Sequence, residues 1–403
     1  MDYNTIKESN QTHDEKYKDM GFSTKCTHIG QEPDPIYGGV NVPINLSTTY
    51  AQTYPNVPFG PFDYSRCGNP TRDHLERLIA GLYSAKYSIS WSSGMAATTG
   101  LINMLCTGDE VICMDDMYGG TQRYFRRISQ INHNIKYKFI NMNNYDVLKS
   151  SLSEKTRLIW LESPTNPTLK VTDIRTVVKM VKEFNKDIII VVDNTFLSPY
   201  NCNPLSLGAD FVMESATKYL GGHSDIVMGC TATNDDKLQE RLFFISKTTG
   251  GVPSPFDCYM AIRSIKTLSI RVERQNQNGL ILAQYLNKHP KIEKCMYPGL
   301  ETDEFHQVAK NQQKGFGGVL SLVITGGLEK AANFLTNLKV FTLAESLGSV
   351  ESLADHPALM THASVPEDIR KELGVVDGFV RLSCGIEDVE DLLNDVKQAL
   401  EKI

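Results

Sequence analysis

No apolar run in this chain approaches the length that spans a bilayer, so the sequence offers no membrane anchor. Neither sign of charge dominates. The net charge of −6 over 403 residues is too modest to point to nucleic acid or an anionic membrane surface. Residues 1–20 are polar and contain no apolar h-region, so no secretory leader is expected there. Metal-ligand spacing is missing too. The nine cysteines are odd in number and no pair is spaced for a metal, the nine histidines are scattered, and no metal site is expected. Cys106 and Cys113 stand in apolar surroundings. The cysteines read as buried free thiols of a reducing, cytoplasmic compartment.

What is present is ordinary soluble globular composition, 41% hydrophobic and 22% charged, in a chain long enough for two or three domains. Met1 to about Lys25 is charged with almost no hydrophobic period and reads as a tail. Thr27 to Pro61 is rich in Gly, Pro and Thr and predicts long irregular structure. Strands are expected at Tyr87–Trp91, Glu110–Met114, Leu158–Leu161, Ile188–Asp193 and Ile226–Ala232, alternating with helices such as Asp73–Leu82, Met95–Leu105 and Asp173–Glu183. That order implies a mainly parallel sheet with helices on both faces. Arg263–Leu286 reads as one long helical stretch, and from about Lys291 the pattern changes to a smaller α+β domain ending in an amphipathic helix.

The most informative stretch is the β-branched run Ile188–Val192, which ends in Asp193 and is followed by Ser215-Ala216-Thr217-Lys218. A buried parallel strand with a charge at its carboxyl end marks the place where open α/β sheets bind ligands. Pyridoxal phosphate (PLP) uses such a pair, a Lys for covalent attachment and a carboxylate that keeps the pyridine nitrogen protonated. In an extended segment Ser215 and Thr217 would share one face, with Lys218 on the other. Ser93-Gly94-Met95 opens a helix, a ready phosphate site at the positive end of a helix dipole. By spacing alone, Asp193 could equally cap the next element and Lys218 could sit in a polar loop.

The wording of Ser215–Asp225 resembles the signature of the Cys/Met-metabolism PLP enzymes, the family of the cystathionine γ-lyases, γ-synthases and β-lyases and the methionine γ-lyases. The resemblance runs from about Thr27 to the C-terminus and is strongest to the eukaryotic-type cystathionine γ-lyase branch, on Met114–Thr121 and Leu343–Val350. It implies an aspartate-aminotransferase-like α/β fold (fold type I), with a mainly parallel seven-stranded sheet in a large domain and a smaller C-terminal α+β domain. The expected divisions are an N-terminal tail and intersubunit arm over 1–65, a PLP-binding domain over 66–262, and a C-terminal domain over 263–403.

For the site, the resemblance implies pyridoxal 5′-phosphate carried by Lys218. Asp193 would meet its ring nitrogen, and Ser215, Thr217, Ser93, Gly94 and Met95 its phosphate. Tyr118 would stack on its ring and act as acid or base, with a lowered pKa. Tyr64 and Arg66 would serve the neighbouring subunit's site, so at least a dimer is expected, with a tetramer the family habit. Arg381, Asn166 and Ser346 would hold the substrate carboxylate, with Tyr64 also at the substrate and Glu345 near its distal amino group.

The expected reaction is α,γ-elimination of L-cystathionine, an amino-acid substrate, to L-cysteine, 2-oxobutanoate and ammonia, with release of hydrogen sulfide from cysteine also plausible. The alternatives are γ-replacement on an O-acyl homoserine, as in the γ-synthases, and a non-catalytic PLP carrier. This sequence departs from the family at Gly222, where Asn is more usual, at Ser349 for Gly and at Cys384 for an aliphatic residue. Gly120 stands where methionine γ-lyases usually carry Cys, which argues against that branch.

Overall fold

The computed structural model describes residues 13–361, 370 and 372–403. They form two compact units, each assembled from separated stretches: residues 13–104 with 210–269, and 105–209 with 270–403.

In the first unit, the strand Gly229–Thr233 lies between Tyr87–Trp91 and Phe211–Glu214 and pairs antiparallel with both. Local chemistry sets the helix starts. Asn69 accepts a hydrogen bond from the backbone N of Arg72 at 3.2 Å and Pro70 takes the first turn of the helix Pro70–Leu82. Asp235 caps Asp236–Thr249, which stops at Gly250 with a left-handed φ of 78°. The expected tail is shorter than the sequence suggests. Residues 1–12 lie outside the described residues, but from His13 the chain is packed. The helix Phe22–His28 buries Cys26, and Arg77 pairs with Asp14 at 2.6 Å and with Glu32 and Asp73. Hydrophobic period missed this segment because ion pairs hold much of it. His13, Asp14 and Glu32 are close enough to share a metal ion, but Arg77 already donates to both carboxylates. Beyond Gln31 the chain is irregular as expected, and Ile36, Tyr37, Val40, Leu46, Tyr54 and Phe59 are each more than two-thirds exposed.

The second unit holds two sheets. In one, Ile189–Asp193, Thr156–Glu162, Glu110–Met114 and Lys136–Ile140 lie side by side in that order, all parallel. With the three strands of the first unit these make seven, the expected number. The other sheet has five strands, in the order Ile292–Met296, Val319–Ile324, Phe379–Ser383, Leu353–Asp355, Thr342–Leu343. Its core packs Leu320, Leu322, Val380 and Leu382 against Leu282, Phe334, Leu392 and Val396 of the flanking helices. Ser321 donates to the carbonyl of Pro167 at 2.7 Å and Gln312 to that of Thr172 at 2.9 Å, tying the late stretch of this unit to the early one.

Three readings need correction. The single helical stretch is two helices, Pro255–Ile265 and Leu268–Leu286. Ser215–Lys218 is a turn rather than extended, closed by Lys218 N donating to the Ser215 carbonyl at 3.1 Å. Cys106 is exposed, because it lies past the helix Gly94–Ile102 on the turn closed by Asp109. All nine cysteines are free, six of them buried. No described helix is long and apolar enough to cross a membrane.

Candidate active site

In the first unit the helix Gly94–Ile102 begins beside the Ser215–Lys218 turn. Ser93 caps it, accepting from Ala96 N at 3.0 Å, which leaves its own hydroxyl proton for another acceptor. A Cβ on Gly94 would come 3.0 Å from Ser215 Cβ, and one on Gly229 only 2.4 Å from the Ser93 carbonyl oxygen. Glycine at both places lets backbone, Ser93 and Ser215 crowd around one spot, while Met95 is the second residue of the helix. Thr217 Oγ1 accepts from Met228 N at 3.1 Å and donates to the Met228 carbonyl at 3.2 Å, which fixes the hydroxyl beside this turn. Hydroxyls and N–H groups at a helix start suit a phosphate. The Lys218 backbone is held at both ends, since Gly222 N donates to its carbonyl at 2.7 Å. Gly222 has φ of 64°, which explains the exchange with Asn, the side chain that best tolerates that region after glycine. Tyr64 and Arg66 lie exposed on the irregular segment. The guanidinium sits 5.5 Å from the Tyr64 ring centroid and donates to the Lys247 carbonyl.

In the second unit Asp193 ends its strand nearly buried, and Oδ1 accepts from Thr195 N at 3.0 Å and Thr195 Oγ1 at 2.6 Å. Among the described residues nothing in the chain bonds Oδ2. Burial pushes Asp193 up to about 6, against the pull of the Thr195 bonds. A carboxylate that is costly to ionise alone suits a cationic ring nitrogen. Taken unit by unit, the chemistry fits parts of PLP: the first unit offers donors of the kind a phosphate takes, the second an acid of the kind a pyridinium takes.

Arg381 is buried in the middle of the five-stranded sheet, in register with Asp355 on one side and Ser321 on the other. Its Nη1 donates to Asn166 Oδ1 at 2.9 Å, and its Nη2 to the Ser346 carbonyl at 3.0 Å and to Asp355. The Nε–H is buried with no partner among the described residues, as is Asp355 Oδ1. Asn166, Ser346 and Arg381 thus come together as expected, with a donor left over for a carboxylate. Asp355 was not anticipated. Ser346 has φ of 105°, a conformation a serine adopts only where its surroundings impose it.

Tyr118 is 43% exposed. Its hydroxyl is not lowered as expected: burial pushes its pKa up, Arg123 and Arg381 pull it down, and Glu345 and Glu162 raise it. In this chain those carboxylates and partial desolvation offset the two arginines. Glu345 is exposed, and its charge is felt by both Tyr118 and Asp355. Gly120 acquires a physical reason, since a Cβ there would lie 2.5 Å from Tyr118 Cε1. Gly120→Ala should therefore push the ring aside and lower kcat/KM by between about ten- and a hundredfold. A steady-state assay within twofold of the parent would show that Gly120 does not set the ring.

The Cys/Met metabolism PLP-dependent enzyme pattern matches residues 23–401, and the chain belongs to that family. It is a PLP-dependent enzyme of fold type I. Among its relatives, cystathionine γ-lyase of Dictyostelium discoideum is 49% identical over 381 residues, 94% of this chain and 98% of the relative. The solved metB structure of Corynebacterium glutamicum superposes with a TM-score of 0.92 at 44% identity, over 95% of this chain and 98% of that one. Cystathionine γ-lyase of Lactobacillus plantarum, solved with L-serine, gives 0.92 at 36% identity, over 95% and 99%.

Proposed function

We propose that this chain is a carbon–sulfur lyase that converts L-cystathionine and water to L-cysteine, 2-oxobutanoate and ammonia. The observation that carries this reading is 49% identity to a cystathionine γ-lyase over nearly the whole chain. The second unit's network of Arg381, Asn166 and Ser346, with its unused Nε–H, supports it. PLP, when bound, supplies the electron sink that makes the Cα proton acidic. Arg381 binds and orients the substrate α-carboxylate, with Asn166 fixing the guanidinium. Asp193, ionised, would accept the N–H of the protonated ring nitrogen. Lys218 Nζ would hold the cofactor and, once free of it, would take the Cα proton. A second proton leaves Cβ as the Cγ–S bond breaks, and Lys218 Nζ or the Tyr118 hydroxyl returns a proton to the departing thiolate. Glu345 meets the distal ammonium. We place Tyr64 and Arg66 in a second copy's site, because their segment leaves six large apolar side chains more than two-thirds exposed in one chain alone. That requires a dimer at least.

Product analysis with purified enzyme, PLP and L-cystathionine tests the reading. Cysteine with 2-oxobutanoate supports it. Homocysteine with pyruvate overturns it, as would turnover only when cysteine and an O-acyl homoserine are supplied together.

A further inference from the structure

We propose that Glu162 is a positioning residue that fixes Tyr118 and Asn166 relative to one another by accepting a backbone N–H from each. This rests on the reading above, in which Tyr118 meets the cofactor and Asn166 steadies Arg381.

Glu162 closes the strand Thr156–Glu162 and is almost fully buried. Its Oε2 accepts from Tyr118 N at 2.8 Å and its Oε1 from Asn166 N at 2.9 Å. Tyr118 follows the strand Glu110–Met114, and Asn166 follows Glu162's own strand, so one carboxylate bridges the ends of two neighbouring parallel strands. A second link runs between the same loops, where Thr165 and Thr168 donate their hydroxyls to Asp116 Oδ2, Thr165 at 2.6 Å. Asp193 stands beside Glu162 in register on the next strand.

This crowding of acids is costly. Burial and the charges of Asp193 and Asp116 push Glu162 well above the ordinary carboxylate range, while the Tyr118 and Asn166 N–H groups oppose that. A hydrophobic residue would fill the same space at no such cost. What it would lack is a pair of acceptors for the Tyr118 and Asn166 N–H groups. The consequence reaches farther than the two loops: Asn166 accepts from Arg381, so the setting of the carboxylate-binding guanidinium also depends on Glu162.

The two links respond differently to an amide. A backbone N–H can only donate, so Glu162→Gln turns an NH2 group toward one of two fixed donors and that loop must move. The threonine hydroxyls at Asp116 can rotate and accept, so Asp116→Asn should keep its geometry. Hydrogen exchange of the PLP-free protein, read by mass spectrometry over 115–124 and 162–170, is expected to show loss of protection in one of these segments in Glu162→Gln and not in Asp116→Asn. With PLP, kcat/KM for L-cystathionine should fall by about a hundredfold in Glu162→Gln, the cost of a misplacement near 1 Å, and severalfold at most in Asp116→Asn. Unchanged exchange in Glu162→Gln overturns the proposal. Loosened loops with parental kcat/KM would instead sink the site reading beneath it. If Glu162→Gln does not fold, Glu162→Asp replaces it. Its carboxylate is too short to hold both N–H groups, and parental exchange in that variant would equally overturn the proposal.

Discussion

Lys218→Ala is expected to reduce turnover of L-cystathionine by a factor of about a thousand or more. Proton transfer by a positioned side chain is worth about 10²–10⁴-fold by itself, and this lysine is asked to move the Cα proton as well as to hold the cofactor. The variant should still bind PLP. The Ser93–Gly94 helix start, Ser215 and the Thr217 hydroxyl, which is held by Met228, do not depend on the lysine side chain. The measurements are kcat and the absorbance spectrum of the reconstituted protein. Retained PLP with a shifted visible band and no turnover is the expected result. More than a tenth of parental kcat would remove Lys218 from its role.

Arg381→Lys should be nearly as damaging, although it keeps the charge. The guanidinium serves three acceptors at once, Asn166 Oδ1, the Ser346 carbonyl and Asp355, and still presents Nε–H. An ammonium is a compact point charge that cannot cover those directions in a plane. We expect KM for L-cystathionine to rise about a hundredfold, with a smaller fall in kcat. The alanine variant separates binding from folding. It leaves Asp355 buried without its cation, at a cost of about 3–5 kcal/mol, visible as a lowered melting temperature. Pairing Arg381→Ala with Asp355→Ala should recover much of that stability and none of the activity. If the double variant is no more stable than the single one, the two side chains do not form the coupled pair described here.

Much of this was legible in the sequence because the informative signals are local. Ile189–Val192 announces a buried parallel strand by β-branching alone, and Asp193 by its place at the end of it. Val319–Ile324 and Phe379–Ser383 are equally plain. The strand Lys136–Ile140 was not seen, because its lysines and aromatics are those of an edge strand and carry no uniform apolar run. Asp355 was invisible for another reason. Its meaning lies in its register with Arg381 across two strands, and nothing in the letters around it reports that pairing. Nothing in the sequence marks Glu162, which follows the expected strand Leu158–Leu161, since its partners are backbone groups, which leave no trace in sequence. The pKa of Tyr118 failed similarly: proximity to cations could be anticipated, while the opposing carboxylates and the burial could not.

The interleaving of the two units has a consequence for how the protein is made. Residues 105–209 leave the ribosome before any of 270–403, with which they form one unit, whereas 13–104 are completed once 269 has emerged. The Pro167 and Thr172 carbonyls, just past the strand that ends in Glu162, must therefore wait for the stretch carrying Gln312 and Ser321, which tie the late part to the early one. Chains released early by a stop codon before Ser321 would lack that tie and most of the five-stranded sheet. Such truncations belong among the substrates of the quality-control machinery rather than among partly active enzymes.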